Sequence, residues 1–314
     1  MKIWKILIFG VLIVAVVFVG IIVVGLGKPA APKDYWKTIE NQTTGMIEKE
    51  YNHLGDYEVK KRQYPAPSDE RDKTENHFAI WSPKEEGEYP LIIMVNGTGV
   101  PDDKYEEVFR HLASYGYVVA GNNYGTNWDG LNASRTLDFV LETQEIADKI
   151  DREKIAIGGH SQGGMGAFNA VTEYENGSLY KAVFSLSPTS QPLAESLKWG
   201  FDLSSDHGYA YRTEDIDIPV FMAAGTGKFD SETVSPLEEM RKTFDALQGD
   251  KVMVHRSDEV DHGAMLYEAN GYVLAWLDHY LKGKEENQNA FFGPEAEQAK
   301  NPRYQDFAST KKDE

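Results

Sequence analysis

A single serine sits where a serine can do chemistry, in Gly159-His160-Ser161-Gln162-Gly163. The spacing is G-x-S-x-G. An apolar run, Ile155-Ala156-Ile157, leads in, and a helix-compatible run with Met165, Ala167, Phe168, Ala170 and Val171 leads out. That order predicts a nucleophile elbow, a strand-to-helix corner so tight that residues two before and two after the serine can carry no Cβ. A serine hydroxyl is a poor nucleophile at its own pKa and needs a base. The base in turn needs an acid or amide to hold its tautomer. Of the histidines after Ser161, His279 falls inside a helical pattern, His255 inside a strand pattern and His207 in an irregular stretch. His262 lies in Asp258-Glu259-Val260-Asp261-His262-Gly263-Ala264, a loop between the last strand and last helix, and is the candidate base. The acid is expected in the loop after Val220–Ala224, with Asp230 as the candidate and Glu232 as the alternative. An oxyanion needs two backbone N–H groups. Gln162 follows the nucleophile, and Thr98 lies in Asn96-Gly97-Thr98-Gly99 after the strand Leu91–Val95; these are the expected donors. The scheme calls for no cofactor and no metal, and no H-x-x-x-H or H-E-x-x-H pattern or phosphate-binding glycine loop occurs in the sequence.

Positioning these residues requires a sheet. Continuous apolar runs at Leu91–Val95, Tyr117–Ala120, Ile155–Ile157, Ala182–Leu186, Val220–Ala224 and Val252–His255 read as strands buried on both faces. Helical patterns at Tyr105–Tyr115, Ala133–Ile150 and Tyr272–Leu281 alternate with them. Tyr57–Tyr64 and His77–Trp81 read as earlier strands. The expectation is an α/β fold with a mostly parallel central sheet and helices on both faces. Asp34–Leu54 reads as a polar helix or extended lead-in. The tail from Gly283 reads as polar and only partly ordered, with Phe291, Phe292, Tyr304 and Phe307 able to dock back.

The 314 residues allow one large domain with additions, and 41% hydrophobic content allows a sizeable core. A net charge of -18 argues against nucleic acid as a partner and against a basic lipid-docking patch. There is no cysteine, so no disulfide and no thiolate chemistry. From Ile6 to Gly27 every residue is apolar or glycine. A bilayer core needs about 20 such residues, so the expectation is an N-terminal transmembrane signal anchor over 1–27. A linker and lead-in follow over 28–54, and then the catalytic domain over 55–314. Lys2 and Lys5 favour a single-pass membrane protein with the catalytic domain extracytoplasmic. Secretion after signal cleavage is the alternative.

The run Asn96-Gly97-Thr98-Gly99 through His111-Leu112-Ala113-Ser114-Tyr115-Gly116-Tyr117-Val118-Val119 resembles the cutinase-like polyester hydrolases of the α/β-hydrolase superfamily, neighbours of the chlorophyllase and dienelactone-hydrolase-like branches. So do Ser134-Arg135, Gly159-His160-Ser161-Gln162-Gly163-Gly164, Ile218-Pro219-Val220 and Asp261-His262. The resemblance implies the α/β-hydrolase fold and a carboxylic-ester hydrolase. Ser161, Asp230 and His262 take its triad positions, and Thr98 and Gln162 its oxyanion donors. Two departures bear on substrate. Thr98 and Thr189 stand where polyester hydrolases carry an aromatic and a tryptophan, which argues against a clamp for a terephthalate-like ring, and the family's disulfide is absent.

An insertion over 189–218 is a possible cap, with Trp199, Phe201, Tyr209 and Tyr211 either lining an acyl pocket or packing on the body. Trp199 and Trp128 are the candidate substrate-binding residues. The expected reaction is hydrolysis of a small-molecule or lipid-like ester through an acyl-enzyme. Acyl transfer, peptide hydrolysis or a catalytically weak binding module are the alternatives.

Overall fold

The computed structural model describes residues 31–67, 76–198 and 211–312. Among them, nine strands form one sheet in the order β1-β2-β4-β3-β5-β6-β7-β8-β9. The strands are β1 (Val59–Pro65), β2 (His77–Pro83), β3 (Tyr89–Val95), β4 (Val118–Asn122), β5 (Ile150–His160), β6 (Tyr180–Leu186), β7 (Val220–Gly225), β8 (Lys251–Arg256) and β9 (Tyr304–Thr310). Six central strands, β4-β3-β5-β6-β7-β8, run parallel, while β1, β2 and β9 pair antiparallel at the two margins. This is the mostly parallel sheet expected of the α/β-hydrolase fold. The strand order reverses between β3 and β5, and such sheets place ligands outside the carboxyl ends of the strands at that switch point.

The apolar runs are continuous because both faces are covered. In β3, Ile92 and Met94 enter the core on one face, and Leu91, Ile93 and Val95 enter the core on the other. The first face is packed by helices α1 (Trp36–Gln42), α2 (Met46–Tyr51), α3 (Glu106–Ser114) and α8 (Asn270–Lys282). The second is packed by α4 (Leu131–Glu142), α5 (Gln162–Thr172) and α7 (Leu237–Ala246), with α6 (Gln191–Lys198) beside them. Outer strand β1 is half-exposed and rich in Lys60, Lys61 and Arg62, charges that discourage pairing with another chain.

Three expectations change. The helix expected over Ala133–Ile150 is broken after Glu142, because Thr143 turns extended (φ -82, ψ 101); a single helical turn, Gln144–Ala147, follows, and Ile150 already opens β5. The lead-in is two short helices whose Tyr35, Trp36, Ile39 and Tyr51 are buried in the main core. The tail is ordered rather than partly so: Phe291 is fully buried, Phe292 and Phe307 pack on the core, and β9 adds a strand to β8. A buried charge network ties lead-in to tail. Glu48 accepts from Arg303, Asn301 and Tyr304, and Arg303 also reaches Glu268, which pairs with Arg256. Burial raises the Glu48 carboxyl, and Arg303 works against that. Removing one member of such a cluster strands a buried charge, which is why the two chain ends act as one clasp.

The apolar run Ile6–Gly27 lies outside the described residues. No helix among the described residues is long and apolar enough to cross a membrane.

Candidate active site

Strand β5 and helix α5 meet at Ser161, whose backbone is φ 61, ψ -125. That is the left-handed half of the map, where a residue with a Cβ carries about 1–3 kcal/mol of strain. The surroundings hold it there. The Ser161 N–H donates to the Leu186 carbonyl at 3.0 Å, and the Ser161 carbonyl accepts from Thr189 N–H at 3.1 Å and Gly164 N–H at 3.0 Å. The glycines are required by space. A Cβ on Gly159 would lie 2.1 Å from the Gly163 carbonyl oxygen, and one on Gly163 would lie 2.1 Å from the Val95 carbonyl oxygen. Elbow, β3 end and β6 end are thus in backbone contact, and Ser161 is left half-buried.

In the loop after β3, three N–H groups are already engaged. Gly97 N–H donates to the Tyr105 hydroxyl at 2.8 Å, Gly99 N–H to the Gly125 carbonyl at 3.5 Å, and Val100 N–H to the Gly97 carbonyl at 3.2 Å. Among the described residues Thr98 N–H has no acceptor, and neither does Gln162 N–H in the first turn of α5. These are the two N–H groups that the sequence puts forward as candidate donors. Tyr105, fully buried, and Asn96, whose side chain donates to the Asn122 carbonyl, tie this loop down.

His262 opens a short 3-10 turn, His262–Ala264, beyond β8. Its Nδ1 lies 2.5 Å from Asp230 Oδ1. A carboxylate only accepts, so Nδ1 carries the proton and Nε2 is the free base nitrogen of the neutral ring. Asp230 begins a π-helical turn, Asp230–Val234, and is fully buried. Its other oxygen, Oδ2, accepts from Ser187 Oγ at 2.6 Å and from Gly225 N–H at 2.8 Å. Burial pushes the Asp230 carboxyl up, but His262 and the hydrogen bonds from His262, Ser187 and Gly225 outweigh it and hold the pKa below the ordinary value. Glu232, two residues on, is exposed. The acid and base loops are laced together through Gly227 N–H to the Val260 carbonyl at 3.0 Å.

The structure therefore brings together the Ser161 elbow, the Asp230–His262 pair and the Thr98 loop at the carboxyl ends of β3, β5, β7 and β8. Trp128 is not an open wall: it is 6% exposed, packs in the core under α5, and its carbonyl accepts from Asn169 at 2.7 Å. Tyr211 packs on the body, with its ring 5.4 Å from Phe168. Trp199, Phe201 and Tyr209 lie outside the described residues, as does His207. Ser187 and Tyr105 were not legible as site residues, since nothing local marks a serine after a strand or a tyrosine at a helix start as a hydrogen-bond acceptor or donor for a distant loop. Thr189, where a tryptophan would be expected by resemblance, is 2% exposed and serves through its backbone. Among the described residues no group of three or more acidic or histidine side chains is arranged to hold a metal.

Comparison with known proteins adds the lineage. The chlorophyllase family pattern matches residues 46–227. The match covers the Thr98 loop and the elbow and stops short of Asp230 and His262. Among curated relatives, the chain is 26% identical over 184 residues to chlorophyllase-1, chloroplastic, of Citrus unshiu, covering 55% of this chain and 53% of that protein. It is 26% identical over 151 residues to chlorophyllase type 0 of Chenopodium album, covering 42% and 41%. It is 28% identical over 104 residues to chlorophyllase-2 of Arabidopsis thaliana, covering 28% and 31%. The matches thus span about half or less of those relatives' length. With more than half of the chain inside the family pattern, this protein belongs to the chlorophyllase family.

Proposed function

We propose that this protein is a serine hydrolase of carboxylic esters. The observation that carries the reading is the Asp230–His262 pair, with Nδ1–H pointed at a buried carboxylate, on a loop that the residue before Ser161 touches at the His262 carbonyl. Ser161 Oγ attacks the ester carbonyl carbon as His262 Nε2 takes its proton. The carbonyl oxygen, now negative, is met by the N–H groups of Thr98 and Gln162, each worth about 2.7–4 kcal/mol of barrier. The carbonyl re-forms, the C–O bond to the alcohol breaks, and His262 returns the proton to the departing oxygen. Water, deprotonated by the same nitrogen, then adds to the acyl carbon, the bond to Ser161 Oγ breaks to release the acid, and His262 returns the proton to Oγ. Asp230 stays ionised throughout and stabilises the imidazolium.

The relatives are named for chlorophyll, a carboxylic ester of phytol. That supports an ester with a large apolar group as the substrate class. The test is hydrolysis of p-nitrophenyl esters from acetate to palmitate, and of chlorophyll a, by the full chain in detergent. Turnover rising with apolar length is expected. Turnover of none of them, with no labelling by a fluorophosphonate, would leave only a binding module on this scaffold.

The run Ile6–Gly27 supports an anchor in a membrane, with the folded domain exposed on the side away from Lys2 and Lys5. The full chain should stay with membranes through alkaline carbonate and move to the detergent phase. Release by carbonate would overturn the anchor and favour cleavage and secretion.

A further inference from the structure

The residue before the nucleophile is a histidine that the ester-hydrolysis scheme leaves unused. His160 ends β5, is 5% exposed, and places its Nε2 2.8 Å from the His262 main-chain carbonyl, 102 residues away in sequence. A carbonyl only accepts, so Nε2 carries the proton. The two imidazole rings lie 4.5 Å apart, centroid to centroid, tilted by 39°. On its other side, His160 Nδ1 comes within 3.5 Å of where a side chain on Gly97 would begin, so the ring also lies against the oxyanion loop. One imidazole thus stands between the nucleophile strand, the base loop and the loop bearing Thr98.

The base loop has need of such a hold. Asp258 and Glu259, just ahead of it, both have positive φ (65 and 54), a conformation that residues other than glycine keep only under restraint. Asp230 grips the His262 ring at Nδ1, and Gly227 N–H holds the loop at the Val260 carbonyl two residues earlier, but neither bond is made to the main chain of His262 itself.

We infer that His160 is a positioning residue: its Nε2–H bond to the His262 carbonyl fixes the main chain of the base while Asp230 fixes its ring, and together they aim His262 Nε2 at Ser161. The inference rests on the proposed triad. Neutrality of His160 is part of the device. Burial, and then the neighbouring His262 ring, push its pKa down to about 3, against the hydrogen bond to the His262 carbonyl and the weaker pull of Asp230. It therefore stays an N–H donor without adding a second charge when His262 becomes imidazolium.

The test compares the full-length enzyme with His160→Phe, which keeps a ring but loses the donor, and His160→Gln, whose amide N–H reaches about as far as imidazole Nε2. Misplacing a catalytic group by about 1 Å can cost 10²-fold in rate. We expect His160→Phe to lower kcat by about 10- to 100-fold with little change in KM, and His160→Gln to recover most of it. Nitrogen-15 NMR of the unmutated protein should show His160 as the neutral Nε2–H tautomer from about pH 5 to pH 9. A wild-type kcat in His160→Phe, no rescue by Gln, or an imidazolium or Nδ1–H tautomer at His160 would each overturn the inference. A failure of the triad itself reads out separately, as wild-type turnover that survives Ser161→Ala, and the inference then falls with it. Should His160→Phe fail to fold, the Gln variant and the tautomer still decide.

Discussion

Ser161→Ala removes measurable ester turnover and all labelling by a fluorophosphonate, while melting temperature and substrate affinity stay near wild type. Loss of the nucleophile from a comparable triad costs about 10⁶-fold in kcat, and the remaining oxyanion donors sustain about 10³-fold over water. The fold is spared because alanine asks nothing new of the backbone. The elbow already seats a residue with a Cβ at φ 61, held by the Leu186 carbonyl and the Thr189 and Gly164 amides. The measurement is steady-state hydrolysis of p-nitrophenyl butyrate, beside a thermal melt and an intact-mass assay for the phosphonyl adduct. Equal rates in mutant and wild type would remove Ser161 from the mechanism and, with it, the ester-hydrolase reading.

Asp230→Asn lowers kcat by about 10⁴-fold, and Glu232→Gln leaves it unchanged. The reason is a tautomer. Ser187 Oγ–H and Gly225 N–H both donate to Oδ2, so an asparagine must put its carbonyl oxygen there and turn its NH₂ toward His262. Nδ1 then has to accept, the proton moves to Nε2, and the nitrogen facing Ser161 can no longer take a proton. Glu232 is exposed and touches none of this. The pH dependence of stability carries the same signature. Asp230 has a folded-state pKa below its unfolded value, despite the opposing effect of burial, because His262, Ser187 and Gly225 favour the carboxylate. Its stabilising contribution is complete above the unfolded value of about 3.9 and is lost as pH falls through the folded value. Melting temperatures of wild type and Asp230→Asn should therefore converge on acidification below about pH 4. A fall of kcat in Glu232→Gln matching that in Asp230→Asn would reassign the acid.

Much of the site was legible from local pattern. G-x-S-x-G after an apolar run marks the elbow, because a Cβ at Gly159 or Gly163 would fall 2.1 Å from a carbonyl oxygen, which excludes every side chain there and so leaves a trace in the sequence itself. His262 could be reached by elimination, since the other histidines after Ser161 fell in strand, helix or irregular patterns. Asp230 could be narrowed only to a short acidic loop with Glu232. Choosing between them needs the direction in which a π-helical turn points each carboxylate, and that depends on Ser187 and Gly225, one of them 43 residues away. Tyr105 and His160 were not assigned for the same reason. Their partners, the Gly97 amide and the His262 carbonyl, are main-chain groups, identical in every residue and therefore silent in a sequence.

The sequence by itself determined the class of fold, through apolar runs too continuous for a half-exposed sheet, and the candidates for chemistry, one serine in a glycine corner and one histidine in a loop after the last parallel strand. Only the tertiary structure decided the sheet order, the extra strand β9, and the docking of the polar tail and lead-in around Glu48 and Arg303. Period and hydropathy report which face of an element is covered. Pairing across 255 residues, as between Glu48 and Arg303, depends on the path of the whole chain, and no local pattern carries it.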